Sequence, residues 1–220
     1  MTTRTSDRVY AGLGITFVVT LMAGVLLSPD LHGGPDLNAS DAQYAASIAH
    51  PIATINWVGA YLEMISVGCF LAFAVWAISR LGHGPLAQLS RIAAGAYAAV
   101  TVASLGLFDA IGYRHGHGLT VPVARTLDAV NVGVYVGTWF LTAFFLAFTG
   151  ALALHSGRRL IGWSAIAIAV VTLAAAPAFN GLGQMTSSLF FLWIIATSVA
   201  LARSPARRTA VNTLPARQAA

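Results

Sequence analysis

Lysine is absent from the 220-residue chain and all twelve basic residues are arginine. Schiff-base chemistry, and every other mechanism built on a lysine nucleophile, is therefore excluded. Cysteine occurs once, as Cys69, which rules out an internal disulfide, a thiolate zinc site and a CxxC redox pair. Within Val67-Gly68-Cys69-Phe70-Leu71 the thiol reads as a small apolar packing group. Charge is scarce: 9% of residues are charged, against about 25% in a soluble domain, and Glu63 is the only glutamate. No P-loop, GxSxG, HExxH or Rossmann glycine pattern is present. No apolar run carries the arginine series that a voltage sensor needs.

What fills the chain instead is apolar side chain. Hydrophobic residues make up 57% and mean hydropathy is +0.75, with no long polar block to form a separate soluble domain. We read one all-α transmembrane domain over residues 1–202, a helical bundle, followed by a disordered basic tail over 203–220. The net charge of +5 does not point to nucleic acid, because the arginines flank apolar runs and form no stripe interleaved with aromatics. Their natural partner is the anionic surface of a lipid bilayer. The arginine and alanine bias is that of a GC-rich bacterial genome, so the expected location is the bacterial cytoplasmic membrane.

A span needs about 20 apolar residues to cross about 30 Å of hydrocarbon. Six segments approach that length: 9–27, 54–78, 89–111, 121–154, 160–179 and 187–202. The first follows Arg4 and Arg8 as a signal peptide would. It is too long for one and lacks an A-x-A site, so it reads as an uncleaved anchor. Arginine distribution then sets orientation. Ten arginines (4, 8, 80, 91, 158, 159, 203, 207, 208 and 217) fall on one side, and only Arg114 and Arg125 on the other. Both termini are accordingly expected in the cytoplasm, and the even-numbered spans run from outside to inside.

The first loop, 28–53, lacks arginine and carries Asp30, Asp36 and Asp41, as an extracytoplasmic segment should. Asn38-Ala39-Ser40-Asp41 supplies N-cap residues for a short interfacial helix that ends before His50-Pro51, and Leu31 to Pro35 reads as a turn. Gly133 with Gly137, and Gly95 with Ala99 and Ala103, form small-residue ridges expected to let helices approach closely.

Two stretches carry a family resemblance: Asp41 to Ile48, an acidic, alanine-rich interfacial helix, and the turn His155-Ser156-Gly157-Arg158-Arg159-Leu160-Ile161-Gly162. On these the chain resembles a large bacterial family of six-helix membrane proteins of unassigned activity, with arginine at position 159 in place of an expected proline. The resemblance spans most of residues 5–200 and implies the fold alone.

Charged side chains inside a span cost roughly 2.5–3.5 kcal/mol each on insertion scales, so they mark where function is sought. Glu63 stands nine residues into the second span, roughly 14 Å deep. On the fourth span Arg125, Asp128, Asn131, Tyr135, Thr138 and Thr142 recur at helical spacing along one face. Glu63, Asp128 and Asn131 come to similar depths, Asp109 lies just above them, and His50, Arg114, His115, His117 and Asn180 lie in or near the loops that would cap them. One outer-half acidic pocket is the expectation. The blander alternatives are a protonated Glu63 bonded to a neighbouring helix, an Arg125–Asp128 pair one turn apart, and Tyr135 with the threonines as interhelical glue.

His115-Gly116-His117 supplies an H-x-H that His50, Asp109 or His32 would complete as a divalent-metal site; the alternative is ordinary turn chemistry. All six histidines lie at or beyond span ends, which rules down two-histidine haem binding. Three functional readings remain. The favoured one is non-enzymatic binding or transport of a small or amphipathic molecule, a lipid included. The second is a metal-dependent enzyme with an extracytoplasmic histidine and carboxylate site. In the third, the chain is an assembly subunit of a homo-oligomer or of a partner.

Overall fold

A computed structural model describes residues 3–32, 35, 38–176 and 181–204. Among them the regular structure is entirely helical: α1 (Thr3–Leu27), α2 (Pro29–His32), α3 (Asp41–Ile48), α4 (Thr54–Leu81), α5 (Pro85–Arg114), α6 (Val121–His155), α7 (Arg159–Ala175) and α8 (Gly181–Arg203). Five of these, α1, α4, α5, α6 and α8, are long and apolar enough to cross a membrane. The sixth expected span is the short one, because α7 has 17 residues, roughly 26 Å at 1.5 Å per residue. Residues 177–179 of that expected span, Asn180, most of the 203–220 tail and positions 33, 34, 36 and 37 of the first loop lie outside the described residues.

Local chemistry explains the helix ends. Ser40 caps α3, accepting from the Gln43 N–H while the Gln43 side chain takes the Ser40 N–H, a reciprocal capping box. Pro85 sits in the first turn of α5 and Pro122 in that of α6, where a missing N–H costs nothing. Between α6 and α7, Gly157 takes φ +80° while Arg158 N–H bonds Ala153 O at 2.8 Å and Gly157 N–H bonds Leu154 O at 2.9 Å. That left-handed stop demands glycine.

The six long helices close into a ring in the order α1, α4, α5, α6, α7, α8, each packing on the helix before and after it. The heaviest contacts are α1 with α4, α5 with α6, and α6 with α7, whereas α4 and α6 touch only sparsely across the ring. Aromatic rings fill the centre. Phe70 is fully buried, with ring centroids 5.3 Å from Phe17, 4.9 Å from Tyr97, 5.4 Å from Phe145 and 6.1 Å from Phe190. Most of these pairs are edge-to-face, the arrangement the ring quadrupoles favour. At the arginine-rich end, Arg80 pairs with Asp7 at 3.2 Å and donates to Ser204 O at 2.7 Å, Trp76 donates to Asp7, and Arg158 donates to Ser204 Oγ. These bonds tie α1, α4, α7 and α8 together.

The small-residue ridges expected on the fifth and sixth helices are corrected. A Cβ added at Gly95 or Gly133 would meet nothing within 4 Å, and at Gly137 only Val100 at 3.8 Å. Gly95 and Gly133 are exposed on the outer face of the ring. The close approaches lie elsewhere. A Cβ at Gly59 would stand 2.6 Å from Gly24 O, and one at Gly150 2.9 Å from Gly162 O.

Candidate functional site

The contact of α1 with α4 at Gly24 and Gly59 builds the site. Lacking side chains, these glycines let the two antiparallel backbones touch, and the Glu63 side chain lies over Gly24 and reaches Ser28. Ser28 Oγ lies 2.6 Å from Glu63 Oε1 and 2.8 Å from Gly24 O. Immediately after Ser28 the chain makes one further helical turn, α2, with the Leu31 and His32 N–H groups donating to Ser28 O. Leu31 and His32, expected to open a turn, are helical instead. Asn56 fastens α2 down: it donates to Asp30 Oδ2 at 2.8 Å and accepts the Asp30 N–H at 2.9 Å.

This turn places His32 over the carboxylate. His32 Nε2 is 2.9 Å from one Glu63 oxygen and 3.0 Å from the other, and Phe108 packs edge-on against its ring with centroids 5.0 Å apart. Glu63 is 1% exposed, so its burial is matched by a hydroxyl and an imidazole, as a carboxylate away from water requires. Asp109 lies near enough to interact electrostatically with both Glu63 and His32.

Glu63 and His32 form part of the wall of a cavity of about 580 Å³ between α1, α4, α5, α6, α7 and α8. It occupies the gap left where α4 and α6 hardly meet, and Tyr97 and Phe190 of the aromatic centre belong to its lining. Hydroxyls dominate the polar part: Thr101 and Ser104 from α5, Tyr135, Thr138 and Thr142 from α6, Thr172 from α7, and Thr186, Ser187 and Ser188 from α8. Phe108, Trp139 and Phe191 add aromatic surface. Asn131 lies outside the lining and accepts from Ser104 at 2.9 Å.

The remaining expected residues assemble elsewhere. Asp128 lies beside fully buried Tyr44 and interacts electrostatically with His115. Arg125, one turn away, pairs with Asp41 at 2.8 Å, donates to Ala39 O, and lies 4.5 Å above the Tyr44 ring. The single acidic pocket is thus two networks, and the ion pair expected between Arg125 and Asp128 is formed by Arg125 with Asp41. Spans at equal depth need not be ring neighbours, which is why depth merged what the fold separates. Burial pushes the His115 imidazole below its ordinary value, and the Asp128 charge opposes that shift.

The H-x-H motif is turn chemistry. Gly116 has φ +68°, donates to Ile48 O at 2.9 Å and lies so close to Pro51 that a Cβ would stand 2.7 Å from its ring. His117 stacks on Tyr113 and its Nδ1 donates to His115 O at 2.8 Å, while His50 is exposed. Among the described residues no three His, Cys, Asp or Glu side chains come together as a metal site, so His50, His115 and His117 are not assembled as one.

Ser28, His32, Ser104, Trp139 and the α8 hydroxyls are the site residues that spacing alone did not single out for binding. The available signal was the register of Gly24 with Ser28 and Gly59 with Glu63, two small-x-x-x-polar pairs. Comparison with protein-family models, with curated proteins and with solved structures returns no match.

Proposed function

We propose that this chain is a six-span protein of the bacterial cytoplasmic membrane, with both termini in the cytoplasm, that binds and passes a small or amphipathic molecule through the cavity beside Glu63. The ten-to-two arginine asymmetry supports the orientation. A ring in which α7 stands between α6 and α8 supports counting α7 as the sixth span.

One observation carries the binding reading: buried Glu63, paired with partly buried His32, stands in the wall of a cavity of about 580 Å³. Ligand sites commonly measure roughly 300–1,000 Å³ and combine apolar walls with a few polar groups. An intramembrane carboxylate is costly enough to be a functional candidate by default. Binding is favoured over catalysis by the order of the polar groups. A serine nucleophile needs its hydroxyl on the imidazole, whereas here the Glu63 carboxyl group stands between Ser28 and His32, within hydrogen-bond distance of both.

Native mass spectrometry of gently extracted protein tests the reading. A reproducible non-covalent adduct is expected on the unaltered chain, weakened or lost in Thr142→Trp, whose indole projects into the cavity and narrows it. An adduct retained unchanged in that variant contradicts the assignment of the cavity.

A further inference from the structure

The proposed binding reading leaves the chemistry of the ligand open, and the hydrogen-bond inventory of the cavity narrows it. A hydroxyl has one hydrogen to donate and two lone pairs to offer. For four of the lining hydroxyls that hydrogen is committed to the protein itself. Thr138 donates to Tyr135 O at 2.6 Å, Thr142 to Thr138 O at 2.8 Å, Thr172 to Ile168 O at 2.8 Å, and Ser104 to Asn131 Oδ1 at 2.9 Å. What those four oxygens have left for a guest is lone pairs. At those four oxygens a guest that donates is the one the wall satisfies.

The charges point the same way. No arginine is among the described residues lining the cavity, and the one basic side chain they include is the His32 imidazole. Two carboxylates, Glu63 at the wall and Asp109 beside it, face a single imidazole, His32. His32 Nε2 is already engaged by Glu63. Aromatic faces complete the picture, since Phe108, Trp139, Phe190 and Phe191 line the same space and a ring face attracts a cation, more strongly where water is excluded. A hard metal ion would need several oxygen or nitrogen ligands converging on one point. The described residues offer no such group of three, and the apolar share of the wall would go unused.

From the four accepting oxygens, the Glu63 carboxyl group and the arginine-free, aromatic lining of this cavity we infer that its ligand is a monovalent organic cation, an ammonium group carried on an apolar or aromatic body. The ammonium N–H groups bond to the Glu63 side and to the threonine oxygens, and the apolar body lies against the rings. This inference rests on the cavity being the binding site, and the test separates the two.

Three ligands of one shape and different charge serve as probes: 4-phenylbutylammonium, 4-phenylbutanol and 4-phenylbutyrate. Each is titrated calorimetrically into the full chain in nanodiscs of zwitterionic lipid, with empty nanodiscs as the blank. The ammonium is expected to bind at one per chain, at least about tenfold more tightly than the alcohol, with the carboxylate weakest; about tenfold corresponds to 1.4 kcal/mol. In Glu63→Gln, which keeps an oxygen for Ser28 and His32, the ammonium is expected to fall to the affinity of the alcohol while the alcohol is unaffected. Equal affinity for ammonium and alcohol, or a preference for the carboxylate, overturns the cation inference and leaves the cavity reading standing. Saturable binding by none of the three overturns both. The charge series on the unaltered chain decides the matter even if Glu63→Gln does not fold.

Discussion

Two polar networks in this molecule are built from the same parts, a carboxylate, a histidine and a hydroxyl, and they differ in what surrounds them. Around Glu63 the parts are buried between α1, α2 and α4 and border the cavity. Around Asp128 they fasten the surface helix α3 to the start of α6 through Tyr44, Arg125 and Asp41. The second network spends its groups on tethering; it lines no part of the cavity. Composition of a polar cluster therefore does not separate a site from a fastening, and the presence of adjoining empty volume does.

The sharpest way to break this comparison is to remove the scaffold both networks depend on. Phe70→Ala empties the aromatic centre of the ring, and should destabilise the fold by about 3–5 kcal/mol, read from denaturant unfolding in micelles. Next comes Gly59→Val, which drives side-chain atoms into Gly24 O and Ser28. Overpacking of this kind costs about 1–3 kcal/mol. It should part Ser28 and His32 from Glu63 while leaving the α3 fastening intact, a selective loss visible by hydrogen exchange. A smaller effect is expected from Arg125→Ala, because its ion pair with Asp41 is largely exposed. The cost is about 1 kcal/mol or less, seen as faster proteolysis within 38–53 and no change in ligand binding.

The smallest effect is a pH dependence confined to the α3 network. The folded state depresses the His115 pKa below its ordinary 6.5, so the unfolded chain takes up the proton more readily. The stabilisation from neutral His115 is complete above about 6.5 and is lost as pH falls through the lower folded value. Exchange protection of α3 should weaken on going from about pH 7.5 to about pH 5.5, and His115→Asn should abolish that dependence.

Much of the architecture was legible before any coordinates. Helix starts at Asp41, Thr54 and Val121 fall where the N-cap and hydropathy patterns put them, since capping and apolar period are local properties. Glu63, singled out nine residues into the second apolar run, is buried there. What escaped was adjacency. The ring order, which sets α4 beside α1 and α5 rather than against α6, depends on close approach at Gly24 and Gly59. The small-x-x-x-polar spacing marks those two glycines off from exposed Gly95 and Gly133, but spacing does not say which helices meet there. His32 escaped for a related reason: its role arises because α2 continues one turn past Ser28 and is pinned by Asn56 of another helix. Tyr135 was expected at the site and lines the cavity, while Asn131 supports it at one remove through Ser104.

The most direct test of the division between the two networks is a paired measurement of ligand affinity, calorimetrically with 4-phenylbutylammonium, in Glu63→Gln and Asp128→Asn. Loss of about tenfold or more in the first, with the second within about twofold of the unaltered chain, is the predicted result; about tenfold is 1.4 kcal/mol. Equal losses in both would contradict it, and would return the two carboxylates to a single functional pocket.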